Sequence, residues 1–143
     1  MSRRRPPRPG FSVAEALIVM TMMAVLVAIS APTFGRALEQ SRLDVAAANL
    51  RAIWAAERLY RLDNPTFADL ATLQSLGLVD PSIVAGNAFY TYDVTPSTDG
   101  TAFVATATRA PHNGGGGELT IDQTGALSGT ITAGGVTLTT APQ

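Results

Sequence analysis

The sequence predicts an α+β protein: one long N-terminal helix, its first half suited to a membrane, packed on a small antiparallel sheet of about four strands. Three observations predict it. Residues 16–34 carry no charged side chain, are apolar on every face, and meet the length of about 20 residues that crosses a bilayer core. Residues 36–63 change to a one-sided apolar stripe with the period of an amphipathic helix. From residue 89 onward, short runs of threonine, aromatic and branched residues alternate with turn clusters rich in glycine.

The chain opens with Arg3, Arg4, Arg5 and Arg8 among three prolines. Residues 1–10 read as a targeting segment and stand outside the fold. Arginines before an apolar span stay on the cytoplasmic side, which places everything after the span outside the cytoplasm. Within the apolar run the odd residue is Glu15. A carboxylate in lipid costs roughly 3 kcal/mol on insertion scales, so it is a candidate functional group with a partner to be named. The plainer reading of Glu15 is a marker of the membrane interface.

A short basic leader ending in Gly10, then Phe11, then Glu15 four residues later at the head of a long apolar helix, resembles the class III signal of type IV prepilins and of type II secretion pseudopilins. The signature lies within Gly10–Gly35. The resemblance implies that a prepilin peptidase cuts between Gly10 and Phe11 and N-methylates Phe11. It makes Glu15 the glutamate used in subunit assembly, and it puts Pro32 where many pilins kink their long helix. The implied fold is pilin-like. The implied function is a structural subunit of a type IV pilus-like filament, foremost a type II secretion pseudopilin. Such a subunit is held single-pass in the bacterial inner membrane, then assembled in the periplasm or at the cell surface. Its implied partners are the peptidase, the inner membrane, other copies of itself and related subunits. The short head without a cysteine pair leans toward a pseudopilin; a major or minor type IV pilin is the alternative within the family. From other classes, the alternatives are a single-pass membrane-anchored envelope protein and a secreted enzyme whose signal ends at Ala28-Ile29-Ser30.

The organisation is then a leader (1–10), a transmembrane or filament-core helix (11–35) and a head (36–143). In the head, 36–63 is an amphipathic helix, 64–88 a connecting segment, and 89–143 sheet and tail. Pro32 removes a helical hydrogen bond, so a bend or a melted turn is expected there. Leu43, Ala46, Ala47, Leu50, Ile53, Trp54 and Tyr60 share one side of the helical wheel, with Asp44, Arg51 and Arg58 on another. Glu57 and Arg61 are spaced as an ion pair on the helix surface. Asn64-Pro65 ends the helix. Asp69–Leu76 reads as a short helix closed by Gly77, and Ile83–Ala88 as loop. Strands are expected over 89–95, 102–108, 118–122 and 126–132, with a glycine-rich loop over 109–117. Residues 133–143 are a weak edge strand or a loose tail.

Chemistry in the head is sparse. The formal charge is −1, and all ten basic residues are arginine. Without residues 1–10, six arginines face eleven acids, so no basic patch for nucleic acid is expected. There is no cysteine, which excludes disulfides and thiolate metal sites. His112 stands alone beside Gly114–Gly117, and that run lacks the residues of a phosphate loop or a dinucleotide fingerprint. Asp93, Asp99, Glu118 and Asp122 are oxygen donors of the kind calcium takes, but they fall on separate strands and turns. No catalytic residue, metal or cofactor is expected.

Overall fold

The computed structural model describes residues 10–111, 115–133 and 136–140; of residues 30–33, 136, 138 and 140 it describes the backbone alone. The leader's residues 1–9 and His112 lie outside the described residues. The chain divides into two compact units, Met1–Gly35 and Arg36–Gln143. One helix, α1 (Val13–Asp63), contributes to both.

In the first unit α1 is long and apolar enough to cross a membrane, and none of its most apolar stretch is buried. Leu17, Ile18, Met20, Met22, Val25 and Val27 are exposed around it. The Thr21 hydroxyl donates to the carbonyls of Leu17 and Ile18 at 2.8 and 2.9 Å, so its polarity is absorbed by the helix itself. The helix is continuous through Pro32. Of the two outcomes expected at that proline, a melted turn does not occur.

In the second unit α1 buries Leu43, Ala46, Ala47, Leu50, Ile53 and Ala56. This is the stripe the sequence predicts, with Trp54 and Tyr60 half-buried along it. Asp44, Arg51 and Arg58 are exposed on the other side. After Asn64, whose side-chain amide donates to the Tyr60 carbonyl at 3.0 Å, comes α2 (Leu70–Ser75). Asp69 caps it by accepting from the Thr72 amide at 2.8 Å. The loop expected over Ile83–Ala88 is corrected: α3 (Pro81–Ala85) occupies its first part. Asp80 accepts from the Ser82 amide at 2.7 Å, and Pro81 sits where a helix start needs no amide donor. Ile83 is buried beneath this turn.

The sheet is an antiparallel meander, β1 (Tyr90–Pro96), β2 (Phe103–Arg109), β3 (Gly116–Asp122), β4 (Leu127–Ala133) and β5 (Val136–Thr140), in spatial order β1-β2-β3-β4-β5. The four expected strands are present, shifted by one or two residues. Within the tail, residues 136–140 add a fifth, edge strand. Alternation along each strand turns Tyr90, Tyr92, Val94, Phe103, Ala105, Ala107, Leu119, Ile121, Leu127 and Ile131 inward. The outer face is rich in threonine, with Thr120 paired to Ser128 at 3.0 Å and Thr130 to Thr139 at 3.3 Å. Gly116 and Gly117 belong to β3 rather than to the loop expected over 109–117. Gly117 (φ 118°) and Gly129 (φ 134°) lie on neighbouring strands. A Cβ on either would sit 2.2 Å from a carbonyl oxygen across the ladder, of Thr130 and of Glu118 respectively. Both positions therefore require glycine.

Polar side chains fasten α1 to the sheet. Arg109, at the end of β2, is 4% exposed. Its guanidinium lies 2.7 Å from Glu39 of α1 and 3.4 Å from the Tyr90 hydroxyl, to which it donates. Arg42 also pairs with Glu39 and lies over the Phe89 ring, 3.9 Å from its centre. Further along, Asn49 donates to the Tyr92 hydroxyl at 2.9 Å. The expected surface pair of Glu57 and Arg61 does not form. Glu57 is fully buried, because it falls on the same helix face as Leu50 and Ile53. Arg61 instead donates to the Thr101 carbonyl at 3.3 Å and lies over the Phe67 ring.

Removing Glu39 would leave Arg109 charged and uncompensated in the interior, a loss of about 3–5 kcal/mol. Glu39→Ala is therefore expected to lower the head's unfolding midpoint in urea sharply. Glu39→Ala combined with Arg109→Met should recover most of it. Equal destabilisation by the single and double variants would show that the charge pair is not what fastens the helix there.

Candidate assembly segment

The segment singled out by the sequence stands ahead of and within the first turn of α1. Gly10 is exposed and outside the helix, and a Cβ built on it meets nothing within 4 Å. Nothing in the described structure requires glycine at that position. Phe11 is 82% exposed and follows it ahead of the helix. Ser12 is the residue before the helix: its hydroxyl accepts from the Ala14 amide at 3.3 Å. Glu15 reaches back, and its carboxylate accepts from the Ser12 amide at 3.0 Å. Serine and glutamate thus satisfy amides at the helix start reciprocally, as in a capping box. Acidic charge at a helix N-terminus is favourable for the same reason that the first amides point outward there. Ser12 is the residue that the sequence reading passed over. Its signal was present, as Ser12-Val13-Ala14-Glu15 ahead of an apolar run.

Gly10, Phe11 and Glu15 are therefore together at one helix end, while Pro32 lies further along α1. Within the single chain the described partner of Glu15 is its own helix start, not a cation.

The four acids considered for calcium are not brought together. The Asp99 carboxylate accepts from Ser97 (2.5 Å) and from the hydroxyl and amide of Thr101 (2.7 and 3.1 Å), which holds its pKa down to about 2. Asp122 is likewise lowered by hydrogen bonds from Thr124 and the turn that follows. These carboxylates close β-turns. Among the described residues no group of three or more acids or histidines is placed to hold a metal ion.

A long apolar helix continuing into a head where it packs on an antiparallel meander defines the pilin-like arrangement. Comparison with known proteins points the same way. Over 71 residues the chain is 30% identical to the type IV major pilin protein PilA of Myxococcus xanthus, a match covering 50% of this chain and 32% of that protein. Over 76 residues it is 34% identical to the type II secretion system core protein G of Pseudomonas aeruginosa, covering 53% of this chain and 51% of the relative. The chain thus spans about a third and about half of the length of these relatives. No protein-family model matches the chain, and no solved structure matches it significantly. The two matches support the family of type IV pilins and type II secretion pseudopilins, over about half of this chain.

Proposed function

We propose that this chain is a structural subunit of a type IV pilus-like filament, and specifically a pseudopilin of type II secretion. The observation that carries the reading is the N-terminal segment: an exposed Gly10-Phe11 joint ahead of a capped, wholly exposed apolar helix. Two further facts support it. Both matched relatives are named as parts of such assemblies, and the secretion protein is matched over the larger share of its length. The match to a major pilin keeps a pilus subunit as the second reading.

In this reading a prepilin peptidase cuts after Gly10 on the cytoplasmic side and N-methylates Phe11. A glycine that nothing in the fold requires suits a constraint imposed by an enzyme's site. The apolar helix holds the subunit in the inner membrane and later packs in the filament core. Kinking at Pro32 lets the helix adapt to that packing. In the head's part of α1, Leu38, Val45, Leu59 and Leu62 are exposed, as are Ala48, Ala52 and Ala55. These exposed apolar residues suit contact with related subunits. Contacts of one surface with a different surface, repeated without closure, build a filament. The role is structural rather than catalytic. Cleavage converts the Phe11 amide into a cationic amine, and in an apolar core that amine and the Glu15 carboxylate compensate part of each other's desolvation. Glu15 then accepts the amine of a neighbouring subunit and sets axial register.

The first test is processing: the mature chain is expected to begin at N-methylated Phe11 by mass spectrometry, and Gly10→Val to retain the leader. A mature N-terminus at Ala31 would instead mark a secretory signal. The second separates two roles of Glu15. Glu15→Gln keeps the helix cap but removes the charge, whereas Glu15→Leu removes both. Both variants should insert in the membrane and be cut normally, and both should lose most of the sheared-filament yield. Normal filaments from Glu15→Gln would sink the pairing with an amine and leave Glu15 as a helix cap.

A further inference from the structure

Glu57 is a buried acid that no part of the proposed assembly mechanism uses. Its side chain is 0% exposed. One carboxyl oxygen accepts from the Ala68 amide at 3.1 Å; the other is buried without a hydrogen-bond partner. Ala68 belongs to the turn that leaves α1 and starts α2. The same turn is held at two other points. The Phe67 amide donates to the Gly100 carbonyl at 3.2 Å, and the Phe67 ring packs on Phe103, 4.8 Å between centres. The connection between helix and sheet is therefore seated on α1 through a carboxyl whose second oxygen has nothing to bond.

We propose that Glu57 is a proton-sensitive catch for residues 64–69: with the carboxyl neutral the turn is seated on α1, and on ionisation the turn lifts and admits water. A neutral carboxyl tolerates the apolar site; a carboxylate with a single donor does not. The groups around it give no counter-charge. From the connecting segment Asp69 opposes ionisation. From the β1–β2 turn, Asp99 is engaged by Ser97 and Thr101. On α1 itself, Arg58 lies over the Trp54 ring and Arg61 over Phe67. Burial, opposed by the Ala68 hydrogen bond and reinforced by Asp69, raises the Glu57 pKa from 4.5 to about 7. The sign follows. Below about pH 4.5 the group is neutral whether the turn is seated or lifted. As pH rises toward about 7, ionisation favours the lifted form, and above that the preference levels off. This inference does not depend on the filament reading.

The test is hydrogen exchange of the full chain in detergent micelles, read by peptide-resolved mass spectrometry and corrected for intrinsic rates. Between about pH 5.5 and 8.5 the amides of residues 64–70 should lose protection by on the order of tenfold. Those of β3 around Leu119 and Ile121 should not. Glu57→Gln, neutral throughout, should show no such loss. Asp69→Asn, which retains a cap for α2, should move the transition to lower pH and serves if the glutamine variant folds poorly. Matching pH profiles for wild type and Glu57→Gln would overturn the proposal. So would an unmoved transition in Asp69→Asn, or loss of protection in β3 in parallel with the turn.

Discussion

The head depends on one packing contact, that of the α1 stripe against the inner face of the meander. Leu43, Ala46, Leu50 and Ile53 supply the helix side, and Tyr90, Tyr92, Val94, Phe103, Leu119, Ile121 and Ile131 the sheet side. A five-stranded sheet with one apolar face cannot stand alone in water, because that face needs a cover. A helix with the same need provides it. Alanines at 46 and 47 keep the helix close to the sheet, leaving the volume between them to tyrosine, phenylalanine and leucine. The large aromatics would strand their hydroxyls in this layer, and each is answered: Asn49 reaches Tyr92, and Arg109 reaches Tyr90. The connecting segment, with α2 and α3, then closes one side of the same core through Leu70, Leu73, Val79 and Ile83.

Much of this was legible because it rests on periodicity. The switch from an all-round apolar run to a one-sided stripe near Gly35 needs only the helical wheel. The strands announce themselves by alternation and by the Pro96–Gly100 and Gln123–Gly125 turns. The missed α3 had a readable start in Asp80-Pro81, but a five-residue helix offers too little pattern to compete with a loop reading. The Glu57–Arg61 pair failed for a different reason. The i,i+4 rule describes charges on a solvated surface, whereas Glu57 lies four residues beyond Ile53 and seven beyond Leu50, on the buried stripe. Arg109 and Glu39 are separated by 70 residues, and only the packing of α1 on the sheet brings them together; no local signal carries that. In the candidate segment, Gly10, Phe11 and Glu15 were legible as a spacing. The reciprocal bond with Ser12 has a local signature too, the capping-box spacing Ser12-Val13-Ala14-Glu15.

The three glutamates of α1 are held in three different ways. Glu39 is half-buried beside the buried Arg109 guanidinium, so its charge is matched and it ties β2 to the helix. Glu57 is buried beside an amide alone, so the neutral form fits best. Glu15 sits on an apolar segment and borrows the unsatisfied amide at its own helix start. Only the first matches charge with charge, although Arg109 Nε has no hydrogen-bond partner there. The other two leave their charge unmatched: Glu57 has an orphan oxygen, and Glu15 is answered by a neutral amide.

That unmatched charge is what gives the Glu15 reading its physical content. Capping explains why the side chain folds back in the isolated chain, yet glutamine would cap as well, and an uncharged residue would enter lipid more easily. A carboxylate kept at this position is costly unless some state of the protein supplies a cation. The described chain has no basic side chain within α1 before Arg36. If the bond after Gly10 is cut as proposed, the amine released is a cation four residues from Glu15. In its own subunit that amine would lie next to Ser12, whose amide Glu15 already holds. In the proposed assembly, an incoming amine from a neighbour would meet the same carboxylate without competing for that bond, since a carboxylate accepts from several donors at once. Cap and intersubunit pair are therefore compatible, and one residue can order the helix start in the monomer and set register between subunits.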